Sequence, residues 1–468
     1  MKTPKSYVNR KSKFFHNQVT FKEESRMRKS RILALVLVFV LCFSSIAMAN
    51  DDFGPVLAPD EDNPVQVAIT KILRLPIGTT TPNVTFNFTA RKISFENSTS
   101  DEALAVMPTL NPANLTISFT AANTTEPDAN NIMSIPLETG DLFFEVDFPR
   151  AGVYIYEITE NPRTNDLIDF NTPYETLTYS DAIYTLRVYV ANTEDYTGTY
   201  VFAVGAIITR PDNGNQTVNF KVDPTPGGDD INYNHSQMIF TNDYVKTNAP
   251  EDPDKPDPIT ESTLNVSKTV TGDLGDRGLY FSFDMTLTIP ILVEDIPLYY
   301  PAYVVEGTRV IGGEELLLNA SASQIGTDDG GLNFINISSR DITSFRLKHG
   351  QRLVFVNTPV GTRYTVTEAA AVGYVSSVEI RADLTVVDTV ANTLPNLPVL
   401  TGYRFVGEWI NTAAFENNRT TIVPTGLNIN DLPFVGMIAF PVIFLLGYVA
   451  LKSRKRNNAI PNYNRKHV

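Results

Sequence analysis

Two lysines stand where the apolar face of a strand should be. Val65, Val67, Ile69, Lys71 and Leu73 share one parity, as do Leu264, Val266, Lys268 and Val270, and residues of one parity line one face of a strand. An ammonium on such a face is costly unless it is paired or deprotonated. Later in each half a glutamate takes the same kind of position. Tyr154, Tyr156, Ile158 and Glu160 form one series and Tyr364, Val366 and Glu368 the other. Each glutamate closes a similar motif, Tyr156-Glu157-Ile158-Thr159-Glu160 and Tyr364-Thr365-Val366-Thr367-Glu368. An asparagine completes each set, in Met238, Phe240, Asn242 and in Ala413, Phe415, Asn417.

An apolar pocket disfavours both charged forms, lowering the pKa of a lysine and raising that of a glutamate. A neutral amine is a nucleophile, and a protonated carboxyl can donate to an asparagine carbonyl. Attack on that carbonyl with loss of ammonia would give an amide. A single buried lysine is equally well read as half of a salt bridge, or as a snorkelling side chain on an edge strand. The ordered triplet Lys, Glu, Asn, occurring twice with matching parity, favours the reactive reading.

The elements that must carry these residues are strands. Alternating runs such as Tyr184-Thr185-Leu186-Arg187-Val188-Tyr189-Val190 are rich in β-branched and aromatic residues and are punctuated by Asn, Asp, Gly and Pro, which predicts short strands and turns. Residues 246–262 hold four prolines and no large apolar residue except Ile259, the composition of an extended, stiff linker. Either side lie a first β-domain, 50–245, and a second, 263–421. An all-β composition in two units of this size points to immunoglobulin-like β-sandwiches.

Charge and cysteine content narrow the function. Between residues 50 and 425 there are 22 basic and 49 acidic residues, a surface that repels phosphate backbones, so nucleic-acid binding is excluded. The one cysteine, Cys42, lies in an N-terminal apolar run. The body therefore has no thiol for disulfides, zinc or nucleophilic catalysis. With His235 and His349 its only histidines, no metal site or cofactor is expected, and the chain does not read as an enzyme.

Both ends read as addresses. Arg26, Arg28, Lys29 and Arg31 precede the apolar run 32–43, and Ala47-Met48-Ala49 follows it, the pattern of a secretory signal over 1–49 cut after Ala49, with Met27 an alternative start. At the other end residues 432–451 are mostly apolar, about enough to cross a bilayer. Lys452-Ser453-Arg454-Lys455-Arg456 then marks a cytoplasmic stop, and 457–468 form a cytoplasmic tail. Ile422-Val423-Pro424-Thr425-Gly426 stands just upstream. Motif, span and basic stop, 422–456, resemble a Gram-positive cell-wall sorting signal. The resemblance implies a sortase that cuts between Thr425 and Gly426 and joins Thr425 to an amine of peptidoglycan or of another subunit.

The body as a whole resembles the streptococcal pilin isopeptide-linkage family. The supporting stretches include the one from Ala151 to Glu160, Tyr179-Ser180-Asp181-Ala182-Ile183-Tyr184, Ile239-Phe240-Thr241-Asn242, and Thr358-Pro359-Val360-Gly361-Thr362-Arg363 leading into the Glu368 motif. The resemblance implies tandem CnaB-like sandwiches, each closed by a bond between its first-strand lysine and last-strand asparagine. Carried over, the bonds are Lys71–Asn242 assisted by Glu160 and Lys268–Asn417 assisted by Glu368. Asn418 is the alternative to Asn417, but its parity puts it with Ala414 and Glu416.

Relatives of this layout carry a polymerisation lysine shortly before the bond-forming asparagine. The corresponding place, around His235, holds none, and Lys221 and Lys246 are the nearest candidates. A secreted, wall-anchored pilus subunit is thus expected, with a monomeric adhesin or accessory subunit as the alternative and no ligand identifiable.

Overall fold

The structure, a computed structural model, describes residues 60, 62–162, 174–212, 217–227, 235–247, 257–312, 325–382, 385–420 and 432–457. The N-terminal signal, the middle of the proline-rich stretch and Val423-Pro424-Thr425-Gly426 lie outside the described residues.

The chain is all-β apart from short helices and one at the C-terminal end. Its first half forms β1 (Thr70–Pro76), β2 (Val84–Phe95), β3 (Thr116–Phe119), β4 (Ile132–Glu138) and β5 (Gly152–Asn161). It continues with β6 (Glu175–Thr178), β7 (Ile183–Asn192), β8 (Thr199–Arg210), β9 (Lys221–Val222) and β10 (Ile239–Lys246). They make a four-stranded sheet, β4-β1-β10-β6, and a six-stranded one, β3-β2-β5-β7-β8-β9. Strict alternation drives the packing. In β7 Tyr184, Leu186, Val188 and Val190 are buried and Arg187 is exposed. Aromatic rings join the layers, with Phe240 of one sheet 5.1 Å from Phe88 and 5.3 Å from Tyr184 of the other.

The second half begins with β11 (Leu264–Thr271), β12 (Phe281–Thr288), β13 (Tyr299–Glu306), β14 (Arg309–Ile311), β15 (Ile325–Thr327), β16 (Asn333–Ser338) and β17 (Thr343–Leu347). Then come β18 (Gln351–Phe355), β19 (Arg363–Glu368), β20 (Val375–Ala382), β21 (Thr385–Ala391), β22 (Val399–Leu400), β23 (Arg404–Phe405) and β24 (Asn411–Asn418). One sheet runs β15-β16-β13-β18-β11-β24-β20-β21 with β14 beside β13, and the other runs β17-β12-β19-β22 with β23 beside β19. Phe283 and Phe415, 5.2 Å apart, join them.

In both halves the first and last strands lie side by side in parallel, β1 with β10 and β11 with β24. A parallel pair cannot be joined by a tight turn. The rest of each sandwich serves as the crossover.

The two sandwiches meet through a short junction. Thr247 bridges Pro359, and the Val360 N–H donates to the Lys246 carbonyl at 2.9 Å. Glu408 of the second half accepts from the Thr80 N–H at 2.7 Å and lies 3.6 Å from Lys246 Nζ. Gly361 has φ +81°, and a Cβ there would come within 2.5 Å of Pro76 Cβ and 3.1 Å of the Ile77 carbonyl. The last helix, α2 (Leu432–Asn457, after the short α1, Asp101–Val106), is 26 residues long and contains Pro441. Its side chains are described over 437–453 and are mostly exposed. Among the described residues no helix is long and apolar enough to cross a membrane.

A Gly361→Ala substitution therefore meets both a left-handed backbone and a neighbouring proline. It is expected to destabilise the chain by about 1–3 kcal/mol, seen as a lower urea midpoint. An unchanged midpoint would show that the junction parts without cost.

Candidate functional site

The parallel strand pairs bring the chemical residues together. In the first sandwich Lys71 is in register with Phe240 and Leu73 with Asn242. In the second Lys268 is in register with Phe415 and Val270 with Asn417. Each asparagine thus lies opposite the residue two places beyond the lysine, on the same face. The glutamates come from the facing sheets. Glu160 on β5 is in register with Phe88, and Glu368 on β19 with Phe283.

All six side chains are buried. Lys71 Nζ lies 2.8 Å from Glu160 Oε1, without the alignment of a hydrogen bond. Lys268 Nζ donates to both oxygens of Glu368 at 2.8 Å. The same Oε1 of each glutamate accepts from its asparagine, from Asn242 Nδ2 at 2.9 Å and from Asn417 Nδ2 at 2.5 Å. Rings cover the amines. Lys71 Nζ is 4.7 Å from the centre of Phe86, and Lys268 Nζ is 4.3 Å from Phe281 and 5.9 Å from Phe283.

Burial sets the protonation tendencies. It lowers each lysine to a pKa of about 8, against an opposing pull from its glutamate. It raises Glu160 and Glu368, with the lysine and asparagine contacts opposing. Both directions favour the neutral pair.

One expectation changes. The carboxyl groups were expected on the asparagine carbonyls, yet they contact the amide nitrogens. A carboxylate oxygen accepts, and Nδ2–H is the amide's donor. The carbonyl of Asn242 instead receives the Ser180 N–H at 2.7 Å. Asn418 lies off the cluster and donates to Thr271 Oγ1 at 2.9 Å. Lys221 is exposed on the edge strand β9, while Lys246 faces Glu408.

Phe86, Phe281 and Ser180 were not singled out from the sequence. The alternation Phe86-x-Phe88 and Phe281-x-Phe283 in the second strand of each half is the signal that marks the first two. Among the described residues no group of three or more His, Cys, Asp or Glu could hold a metal.

Fold and site together define a class: an all-β protein whose sandwiches each bury an amine, a carboxyl and an amide where first and last strands meet. Residues 67–245 match the family model of the Spy0128-like isopeptide containing domain, and residues 262–395 match a domain of unknown function, short of Asn417. A pilin from Streptococcus pyogenes serotype M1 is 24% identical over 301 residues, 63% of this chain and 66% of the relative. The chain thus spans just under two thirds of that relative's length. The crystal structure of the major pilin from Streptococcus pyogenes is 19% identical, covering 77% of this chain and 100% of that one with a TM-score of 0.28. A second major pilin from the same organism is 17% identical, covering 76% and 98% with a TM-score of 0.26. The first sandwich carries a Spy0128-like isopeptide containing domain, and the chain is related to streptococcal pilins.

Where Asn242→Ala and Asn417→Ala remove the amides, the buried pairs stay ionisable. Each lysine is then lowered from 10.5 to about 8 in the fold, so between those values the unfolded chain binds more protons and stability rises with pH. The double variant should gain roughly 3 kcal/mol per lysine between pH 8 and 10.5, measured by urea unfolding across that range. A flat profile would mean the lysines titrate as exposed ones do.

Proposed function

We propose that the protein is a Gram-positive cell-surface, pilin-like structural subunit in which each sandwich closes itself with one Lys–Asn amide, Lys71–Asn242 and Lys268–Asn417. The observation that carries this reading is the duplication of the cluster: same residue types, same register offset, same carboxyl oxygen shared by amine and amide.

The chemistry follows from the neutral pair. The lysine nitrogen attacks the asparagine Cγ, forming a C–N bond while the carbonyl pair moves onto Oδ1. The protonated glutamate, which touches both nitrogens, gives its proton to Nδ2 and takes one back from Nζ. The carbonyl re-forms, the Cγ–Nδ2 bond breaks, and ammonia leaves. Each site turns over once, with Glu160 and Glu368 as the proton carriers. Closing a loop of about 170 residues stabilises by roughly 5 kcal/mol on the chain-entropy model. In a body without cysteine this amide fills the place that disulfides hold in other secreted proteins.

The ends fit the same reading. Residues 1–49 direct secretion, and the apolar run 432–451 with its basic stop completes the sorting signal that begins at Ile422. A sortase then cuts after Thr425 and transfers it to peptidoglycan or to another subunit. The domains are 50–245 and 263–421, joined by the linker 246–262. Of the two candidate acceptor lysines, Lys221 is exposed on the edge strand β9 and Lys246 lies 3.6 Å from Glu408. The absence of a lysine around His235 favours a second reading, a wall-anchored monomeric adhesin or accessory subunit. Immunoblots of wall extracts separate the two, as a shaft subunit gives a high-molecular-weight ladder and a monomer one band.

Intact mass of recombinant residues 50–420 tests the bonds. Each should remove one ammonia, about 17 Da, so the protein is expected about 34 Da light, with the deficit halved in Lys71→Ala and in Lys268→Ala. Full mass would leave two buried ion pairs and overturn the reading.

A further inference from the structure

An attack on an amide carbonyl places negative charge on its oxygen, and a donor already aimed at that oxygen accelerates the step. The glutamates do not supply it, since both contact the departing nitrogen. In the first sandwich the donor is a backbone group. The Ser180 N–H points at Asn242 Oδ1 at 2.7 Å, with a second, longer contact to Glu160 Oε2 at 3.2 Å.

Ser180 lies in the loop between β6 and β7, and a loop amide holds its aim only if the loop is held. Its hydroxyl donates to Asp212 Oδ1, and the same hydroxyl oxygen accepts from the Ala182 N–H at 3.1 Å. Asp212 Oδ1 also accepts from the Thr241 N–H at 3.1 Å. One carboxylate therefore ties the Ser180 loop to the residue next to Asn242. Ser180 and Asp212 are both buried, at 8% and 6% exposure, so the tie lies within the packed sandwich rather than on its surface.

The second sandwich has no such arrangement. Asn417 Oδ1 is buried without a hydrogen-bond partner among the described residues, and so is the hydroxyl of Ser376, its cross-strand neighbour.

We propose that the Ser180 N–H stabilises the oxyanion formed on Asn242 Oδ1 when Lys71 attacks, and that Asp212 is the positioning residue that fixes this N–H. The inference rests on the self-formed amide above and adds its rate-determining donor. The balanced step is unchanged: Nζ–Cγ forms, the electron pair rests on Oδ1 beneath the Ser180 N–H, Cγ–Nδ2 breaks, and ammonia departs. A lost oxyanion donor costs on the order of a hundredfold in rate, and a misaligned one is expected to cost at least about tenfold. The first cross-link should form faster than the second.

The test is cell-free synthesis of the full chain, acid quench at timed intervals, and mass spectrometry of tryptic digests for the two cross-linked peptides. Asp212→Ala and Ser180→Ala are expected to slow the Lys71–Asn242 cross-link at least about tenfold while the Lys268–Asn417 cross-link keeps its rate. Asp212→Asn retains an acceptor oxygen and should restore the first rate to within about threefold, a rescue that a merely structural loss would not show. Unchanged first-bond rates in Asp212→Ala and Ser180→Ala, or a second bond that outpaces the first in the unaltered chain, would overturn the proposal and leave the amide reading standing. An unaltered chain that never yields either cross-linked peptide would overturn both.

Discussion

The structure turns on the cost of taking an ammonium out of water. Lys71 and Lys268 are enclosed by aromatic rings and aliphatic strands, where a charged amine is stable only against a close partner. A glutamate from the facing sheet supplies one, and it is buried with the amine it neutralises. Desolvation pushes the two groups in opposite directions, and their mutual attraction pulls them back. The positions of β1, β5 and β10, and of β11, β19 and β24, are what bring that balance about in each sandwich.

Much of this was legible because a strand has a period of two. Parity alone marked Lys71, Glu160 and Asn242 as inward-facing, and it separated Asn417, which meets Glu368, from Asn418, which meets Thr271. The all-β character followed from the same alternation. What parity cannot supply is which strands become neighbours. The parallel pairing of first and last strands is a non-local fact, and the shared two-residue offset between lysine and asparagine follows from it. Ser180 and Asp212 were harder still. They sit beyond strand ends, in segments where no period applies, and they act through a backbone N–H that every residue but proline carries. Glu408 was likewise invisible, since only the fold brings it against Thr80 and Lys246.

The two sandwiches share amine, carboxyl and amide but differ around the carbonyl. In the first its oxygen receives a loop N–H whose residue is tied to a buried aspartate, and in the second it has no hydrogen-bond partner among the described residues. A similar difference appears at the amines, since Lys268 donates to both carboxyl oxygens and Lys71 approaches one without alignment. The surroundings, more than the three residues themselves, distinguish one site from the other.

Each cluster draws its members from opposite ends of its sandwich, and this has a consequence in time. A chain made from its N-terminus presents Lys71 early and Asn242 last, with Glu160 between them. No truncated or half-delivered sandwich contains all three, so the amine waits inert beside whatever strands have arrived. On the proposed amide reading the final strand acts as a key, and its docking is the event that starts the clock. Completeness of each sandwich would thereby be verified before the proposed irreversible step.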